Sequence, residues 1–126
     1  MVDEMEALRD YLVLQESLAL VTEGGIYCEE APKGVEPPFL LLASNGGEQA
    51  TMSPISRPSI RTVCYATTAK AARDMDMVLR DGIVNVSDST GRIISAKVEE
   101  IGEMVVDRDW PEWFCCEAGY SMVIHN

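Results

Sequence analysis

The run Phe39-Leu40-Leu41-Leu42-Ala43 is apolar at every position. A half-buried strand alternates apolar and polar residues, so a run apolar on both faces belongs inside a sheet with cover on each side. What precedes it limits the fold further. Gly24-Gly25 is a helix stop. Ile26-Tyr27-Cys28 begins a short strand, and Ala31-Pro32-Lys33-Gly34 with Pro37-Pro38 is a turn-rich connection. The stretch from Gly25 to Leu42 therefore reads as strand, loop, strand, and none of it carries catalytic chemistry.

The flanking segments supply the rest of an α+β domain. Asp3 with Glu6 is a variant capping box. Met5, Leu8, Tyr11, Leu12, Leu18 and Ala19 then recur at helical spacing. Val13, Leu14, Leu20 and Val21 fall off that face, so this helix has apolar surface to spare for deep burial or a partner. After Ser44 the composition changes. Asn45-Gly46-Gly47 signals a turn, and Pro54 and Pro58 argue against a central strand. The expectation for Asn45 to Ser59 is a long loop, or an arm on a hairpin.

Ile60 to Ala66 alternates, with Ile60, Thr62 and Cys64 on one face and Arg61, Val63 and Tyr65 on the other. Thr67 or Thr68 caps a second helix whose stripe is Ala69, Ala72, Met75, Val78 and Leu79, with Ala71 beside it and Gly82 as its stop. Ile93 to Ile101 reads as a strand with Ile94, Ala96 and Val98 on its apolar face. Val105 to Trp113 reads as a loop, and Phe114 to His125 as a final strand that Gly119 interrupts, marking a bulge. The expected fold is α+β: a mixed or antiparallel sheet of four to five strands, two helices packed on it, and a long hairpin loop or arm. At 126 residues the chain is expected to be one domain.

Charge narrows the functional classes. Acids outnumber bases 21 to 10, and the net charge is -11. Residues 1–36 hold nine acids against two bases, and residues 84–126 hold eight against three. Such a surface does not condense on phosphates, which argues against nucleic-acid binding. It suits a solvated surface, or one that tolerates nearby DNA without sticking to it. No apolar run approaches a membrane span, and Met1 to Asp10 lacks the basic start of a signal peptide, so a cytosolic chain without membrane contact is expected.

Site chemistry is sparse. No Gly-rich phosphate loop, G-x-S-x-G elbow or H-E-x-x-H helix is present. The four cysteines, Cys28, Cys64, Cys115 and Cys116, form no C-x-x-C pair and have one histidine, His125, for company. They read as reduced thiols packing as small apolar groups, with no metal and no cofactor expected. A dyad of Cys64 or Cys115 with His125 is the one nucleophilic arrangement open. Glu29-Glu30 and Glu99-Glu100 are adjacent, so on strands their side chains diverge and make no carboxylate pair. No enzymatic activity is expected.

The order of elements and three motifs carry a family resemblance. Gly25-Ile26-Tyr27, then Ala31-Pro32-Lys33-Gly34, then Pro37-Pro38-Phe39, resembles the tail terminator (tail completion) proteins of long-tailed bacteriophages. Arg61-Thr62-Val63-Cys64-Tyr65-Ala66, leading into Thr68-Ala69-Lys70-Ala71, is similar to that family's strand-to-helix step. The Asp109-Trp110-Pro111-Glu112-Trp113 segment lies outside the resemblance.

The resemblance implies a homo-oligomer, a hexameric ring. Such a ring caps the tail tube, ends its polymerisation and offers a surface for head–tail joining. It implies as partners the tail tube protein and a head-completion or connector protein. DNA would pass through without specific binding. The place implied is the head-proximal end of the virion tail, after assembly in the host cytoplasm. Candidate subunit or partner contacts are Val13, Leu14, Leu20, Asn45, Gly46, Gly47, Glu48, Met52 and Arg57. Candidate lumen or rim acids are Glu29, Glu30 and Glu36. The competing readings are another head–tail connector or neck protein, a small-ligand enzyme, and an acidic DNA-mimic inhibitor.

Overall fold

Strand β2 (Phe39–Glu48) lies inside a five-stranded sheet, flanked by β1 (Ile26–Cys28) and β3 (Ile55–Ala66). The computed structural model describes residues 4–15, 25–30, 34–48, 55–86, 92–106 and 113–125. Helix α1 (Glu4–Leu12) precedes β1. Helix α2 (Ala69–Val84) follows β3, and β4 (Ile93–Val106) and β5 (Phe114–His125) complete the chain. The sheet order is β1-β2-β3-β5-β4. β1 runs parallel to β2 and every other neighbouring pair is antiparallel, so the mixed α+β architecture is as expected. Among the described residues no helix is long and apolar enough to cross a membrane.

The two described helices pack on one sheet face. Leu8 and Leu12 of α1, with Met75, Leu79 and Ile83 of α2, share one core with Leu40, Leu42, Ile60, Tyr120, Met122 and Ile124 of the strands. Full burial of one such aliphatic side chain contributes about 1.5–3 kcal/mol, so this layer is the main source of stability. The Tyr11 hydroxyl donates to the Gly82 carbonyl at 3.0 Å and ties the two helix C-termini together.

That contact explains one departure from the sequence reading. Gly82 does not stop α2. The helix continues to Val84 and ends at Asn85, whose side-chain amide donates to Asp81 O at 3.0 Å. Docking of α1 outweighs the glycine's local preference to break the helix. The expected start holds: Thr68 accepts from Ala71 N at 3.1 Å. Ala71 is exposed, while Asp76, outside the expected stripe, is buried with Ala72, Met75 and Leu79.

Helix α1 is shorter than its periodicity predicts. It ends at Leu12, where Leu14 N and Gln15 N bond three residues back in a tightened last turn. Leu18, Ala19 and the Asp3 cap lie outside the described residues. Arg9 in the last turn donates to Ile26 O at 2.9 Å, fixing α1 against β1.

From Asn45 to Ser59 the structure bears out an arm on a hairpin and not a long loop, residues 49–54 lying outside the described residues, and it corrects the reading of Pro58. Asn45–Glu48 continues β2, and Ile55–Ser59 opens β3, a central strand that contains Pro58. Register shows how. Ser44 pairs Ile60, yet Gly47 pairs Pro58, so β2 holds one extra residue at a bulge beside the proline. On its other side the β5 ladder passes from Ser56 to Ser59 with no register partner for Pro58, so regular pairing is interrupted around the proline.

Strand β4 is longer than expected, reaching Val106, and it slips against β5 three times. Each slip adds one residue to β4. The first falls between Ile93 and Ser95. It leaves Ile93 buried and Ile94 exposed, so Ile94 is not on the core face with Ala96 and Val98. Gly119 itself sits in regular β5, and the bulges lie in β4 on both sides of its partner Glu100.

Candidate assembly surface and a buried polar cluster

The hairpin formed by β2 and β3 defines one end of the molecule. Ile55 at the start of β3 pairs His125 at the end of β5, and His125 N donates to Arg92 O at 2.8 Å. Arg92 in turn reaches Asp10 of α1 at 3.5 Å. The C-termini of both helices therefore sit at this end. So do Val13, 49% exposed, and Leu14, 77% exposed, just past α1. Val84 and Ile94 add exposed apolar surface there.

The structure thus brings Val13 and Leu14 to the same end as the hairpin. Asn45, Gly46, Gly47 and Glu48 contribute the last stretch of β2, and Arg57 is exposed opposite Glu48. Leu20 and Met52 lie outside the described residues. Single exposed apolar side chains are ordinary on any surface. Their gathering at the hairpin end of the sheet is what makes this end a candidate contact.

Glu29, Glu30 and Glu36 are all exposed, on the connection between β1 and β2. Glu29 takes a left-handed conformation, φ 65°, with its N–H donating to Leu42 O and its carboxylate accepting from Ser44 N at 3.4 Å. Glu29 and Glu30 follow β1 beside Ser44, toward the hairpin end. Glu36 precedes Phe39 at the other end of β2, so the three acids do not form one patch.

A different acidic group lies on the helix-free face. The Ser59 hydroxyl donates to both Glu99 oxygens, at 3.0 and 2.9 Å. Glu100 packs over Gly119, where a Cβ would lie 3.4 Å from the Glu100 Cβ. The bulge between Val98 and Glu100 thus turns both glutamates to one side, contrary to the diverging arrangement expected of a regular strand. Glu117 projects to this face too, and its register partner is Glu103. The sequence displays the Glu-Glu pair, but only the ladder shows the bulge that aligns it.

The opposite end of that face is aromatic. Phe39 stacks on Tyr65 at 4.5 Å between centroids. Trp113 and Tyr27 meet Phe39 edge-on at 5.9 and 6.2 Å. This cover buries Phe39 without a helix and explains why β2 is apolar on both faces.

Beneath α2 lies a cluster that sequence reasoning missed. Asp76 is 3% exposed, and its Oδ2 accepts from Arg80 Nη2 at 3.1 Å. Among the described residues, Asp76 Oδ1, Arg80 Nε and the Tyr120 hydroxyl are buried without a partner at hydrogen-bonding geometry. Gly102 of β4 lies directly over the site, and a Cβ there would overlap the Asp76 carboxylate.

Burial raises the Asp76 carboxyl above its ordinary range, and Arg80 opposes that shift. Burial and Asp76 together push the Cys116 thiol up to about 11 and raise Cys64 and Tyr120 as well. The spacing Asp76 to Arg80 is the sequence signal for the pair, but the same spacing describes Lys70 and Asp74, which are exposed. Only the sheet above decides which pair is buried.

No cysteine–histidine dyad is assembled by Cys64 or Cys115. Cys64 faces the helices. Cys115 shares the face of His125 but sits ten residues away along β5, roughly 33 Å at strand rise. Among the described residues no cluster of three metal-ligating side chains occurs.

No protein-family model matches the chain, and no curated protein sequence matches it. A solved structure does share its fold. The chain resembles a chain of the "Virion of native gene transfer agent (GTA) particle" with a TM-score of 0.70. The match covers 97% of this chain and 94% of that one, at 12% identity. At that identity the likeness is one of fold, extending over nearly the whole of both chains.

Proposed function

We propose that this chain is a structural protein of a phage-like virion and, within it, a tail terminator. In this reading it forms a hexameric ring that caps the tail tube, ends polymerisation and offers the surface for head–tail joining. The observation that carries the virion reading is the fold shared, end to end, with a chain of a gene transfer agent virion. The terminator assignment rests further on the Gly25-to-Phe39 motifs.

Three features suit such a subunit. A ring is built from head-to-tail contacts between unlike surfaces. The hairpin end, with Val13 and Leu14, supplies one such surface. The surplus of acid suits a channel that DNA crosses without adhering. The chain has no catalytic role in this reading. Its place is the head-proximal end of the tail.

Native mass spectrometry across a concentration series, with and without tail tube protein, tests the assignment. A hexamer, or a monomer that becomes a ring on adding tubes, is expected. A chain that stays monomeric and leaves tube length unchanged overturns it.

A further inference from the structure

Two thiols oppose each other across the middle of the sheet. Cys64 of β3 and Cys116 of β5 are register partners in an antiparallel ladder. Such partners have Cα atoms about 4.5–5.5 Å apart and project to the same face. A disulfide takes Cα separations of about 4.4–6.8 Å. Both residues are buried, reduced, and in the core beneath α2.

The other cysteines fail these conditions. Cys115 projects to the opposite face, across from Tyr65. Cys28 pairs Leu42 on β2, and its thiol lies 3.7 Å from the Met5 carbonyl.

We propose that Cys64 and Cys116 form a redox site that a small disulfide oxidant closes into a cross-strand disulfide between β3 and β5. The Cys116 thiolate attacks one sulfur of glutathione disulfide, forming a mixed disulfide and expelling one glutathione thiolate. The Cys64 thiolate then attacks the Cys116 sulfur and expels the second. The two thiol protons go to the two departing thiolates, so the protein loses two electrons and the oxidant gains them. Burial and Asp76 raise both thiols, and Arg80 and Arg73 partly offset this at Cys116, so Cys116 is assigned the first attack.

The surroundings set the rate. Asp76 and burial disfavour both thiolates, and the thiolate is the reactive form. Closure is therefore slow at neutral pH and rises about tenfold per pH unit while the pH stays below the Cys116 value. A closed bond encloses α2 and β4, which restricts the unfolded chain and raises the thermal midpoint. This site is independent of the virion reading.

The test uses the full chain carrying Cys28→Ala and Cys115→Ala. The native protein is incubated with glutathione disulfide, and with diamide, at pH 7.5 and 9.5, then weighed intact. The expected product has lost two hydrogens within one chain, forms faster at pH 9.5, and melts at a higher temperature until reductant is added. Adding Cys116→Ala removes the mass loss.

A refolding arm covers thiols that stay closed to reagents. The reduced chain is refolded from urea in a glutathione redox buffer, which exposes both sulfurs. An intrachain disulfide with native near-UV circular dichroism supports the site. Free thiols in both arms, bonds only between chains, or a bond accompanied by loss of the native spectrum overturns it.

Discussion

Replacing Arg80 by Met should turn the chain into a pH-sensitive variant through Asp76. Arg80 donates to the buried carboxylate at 3.1 Å, and its removal leaves that charge without its cation. Breaking a fully buried pair costs about 3–5 kcal/mol. The Arg80 side chain is 33% exposed, so solvent already weakens the pair and about 1–3 kcal/mol is the better figure. The Asp76 pKa is raised by burial and held down by Arg80, so the variant should raise it further.

The sign follows from linkage. An acid whose folded pKa is raised binds its proton more tightly when folded. Its favourable contribution is full below the unfolded value, about 3.9, and is lost as pH rises through the folded value. Each further unit of upward shift thus costs about 1.4 kcal/mol at neutral pH and nothing in acid. Urea unfolding of Arg80→Met should show the full deficit at pH 7.5 and most of it recovered near pH 4.5. In an Asp76→Asn background the same change should cost under about 1 kcal/mol. A deficit equal at both pH values, or equal in both backgrounds, would show that Arg80 acts through packing of its stem and not through its charge.

Three further substitutions separate fold from assembly. Gly102→Ala places a methyl group into the Asp76 carboxylate and should destabilise by about 2–4 kcal/mol in urea titration; a neutral result would mean that β4 can move off α2. Gly82→Ala meets only Leu12 Cδ2 at 3.9 Å within a helix, so a stabilisation of about 0.5–1 kcal/mol is expected in thermal melts; a loss would show that the Tyr11 contact needs the bare glycine. Leu14→Asp, at a position 77% exposed, should leave folding unchanged within about 0.5 kcal/mol and weaken oligomer formation in native mass spectra; an unchanged oligomer removes this end from the contact surface.

Sequence patterning was most reliable where one local rule acted alone. The run Phe39 to Ala43 required an interior strand, and the alternation of Ile60 to Ala66 assigned its two faces correctly. Thr68 capped α2 as its hydroxyl predicts. The errors share one cause: a distant segment overrode a local signal. Tyr11 and Leu12 hold Gly82 inside α2, breaks in pairing with β2 and β5 flank Pro58, and three slips against β5 spoil the period of β4. Bulges of one residue have no reliable mark in sequence, so Ile94 and the alignment of Glu99 with Glu100 were not readable. Asp76 was invisible for another reason, since its burial depends on Gly102 and Tyr120, which are remote in sequence.

The acidic side of the helix-free face carries a cost that folding alone does not require. Glu117 on β5 lies diagonally across the ladder from Glu100, which packs over Gly119, and like charges this close on one face destabilise a sheet. Glu99 adds charge to the same face. Neutralising one member should therefore stabilise the chain: Glu117→Gln is expected to gain about 0.2–0.5 kcal/mol at low salt. The gain should shrink as salt rises toward 1 M, where screening acts within about 3 Å. Thermal melts of the two proteins across a salt series measure it. A gain that persists at high salt would point to packing against Val63, the β3 partner of Glu117, and would remove the electrostatic argument. A gain that salt erases would mean that this face holds its charge against its own stability, as a surface that must repel a polyanion would.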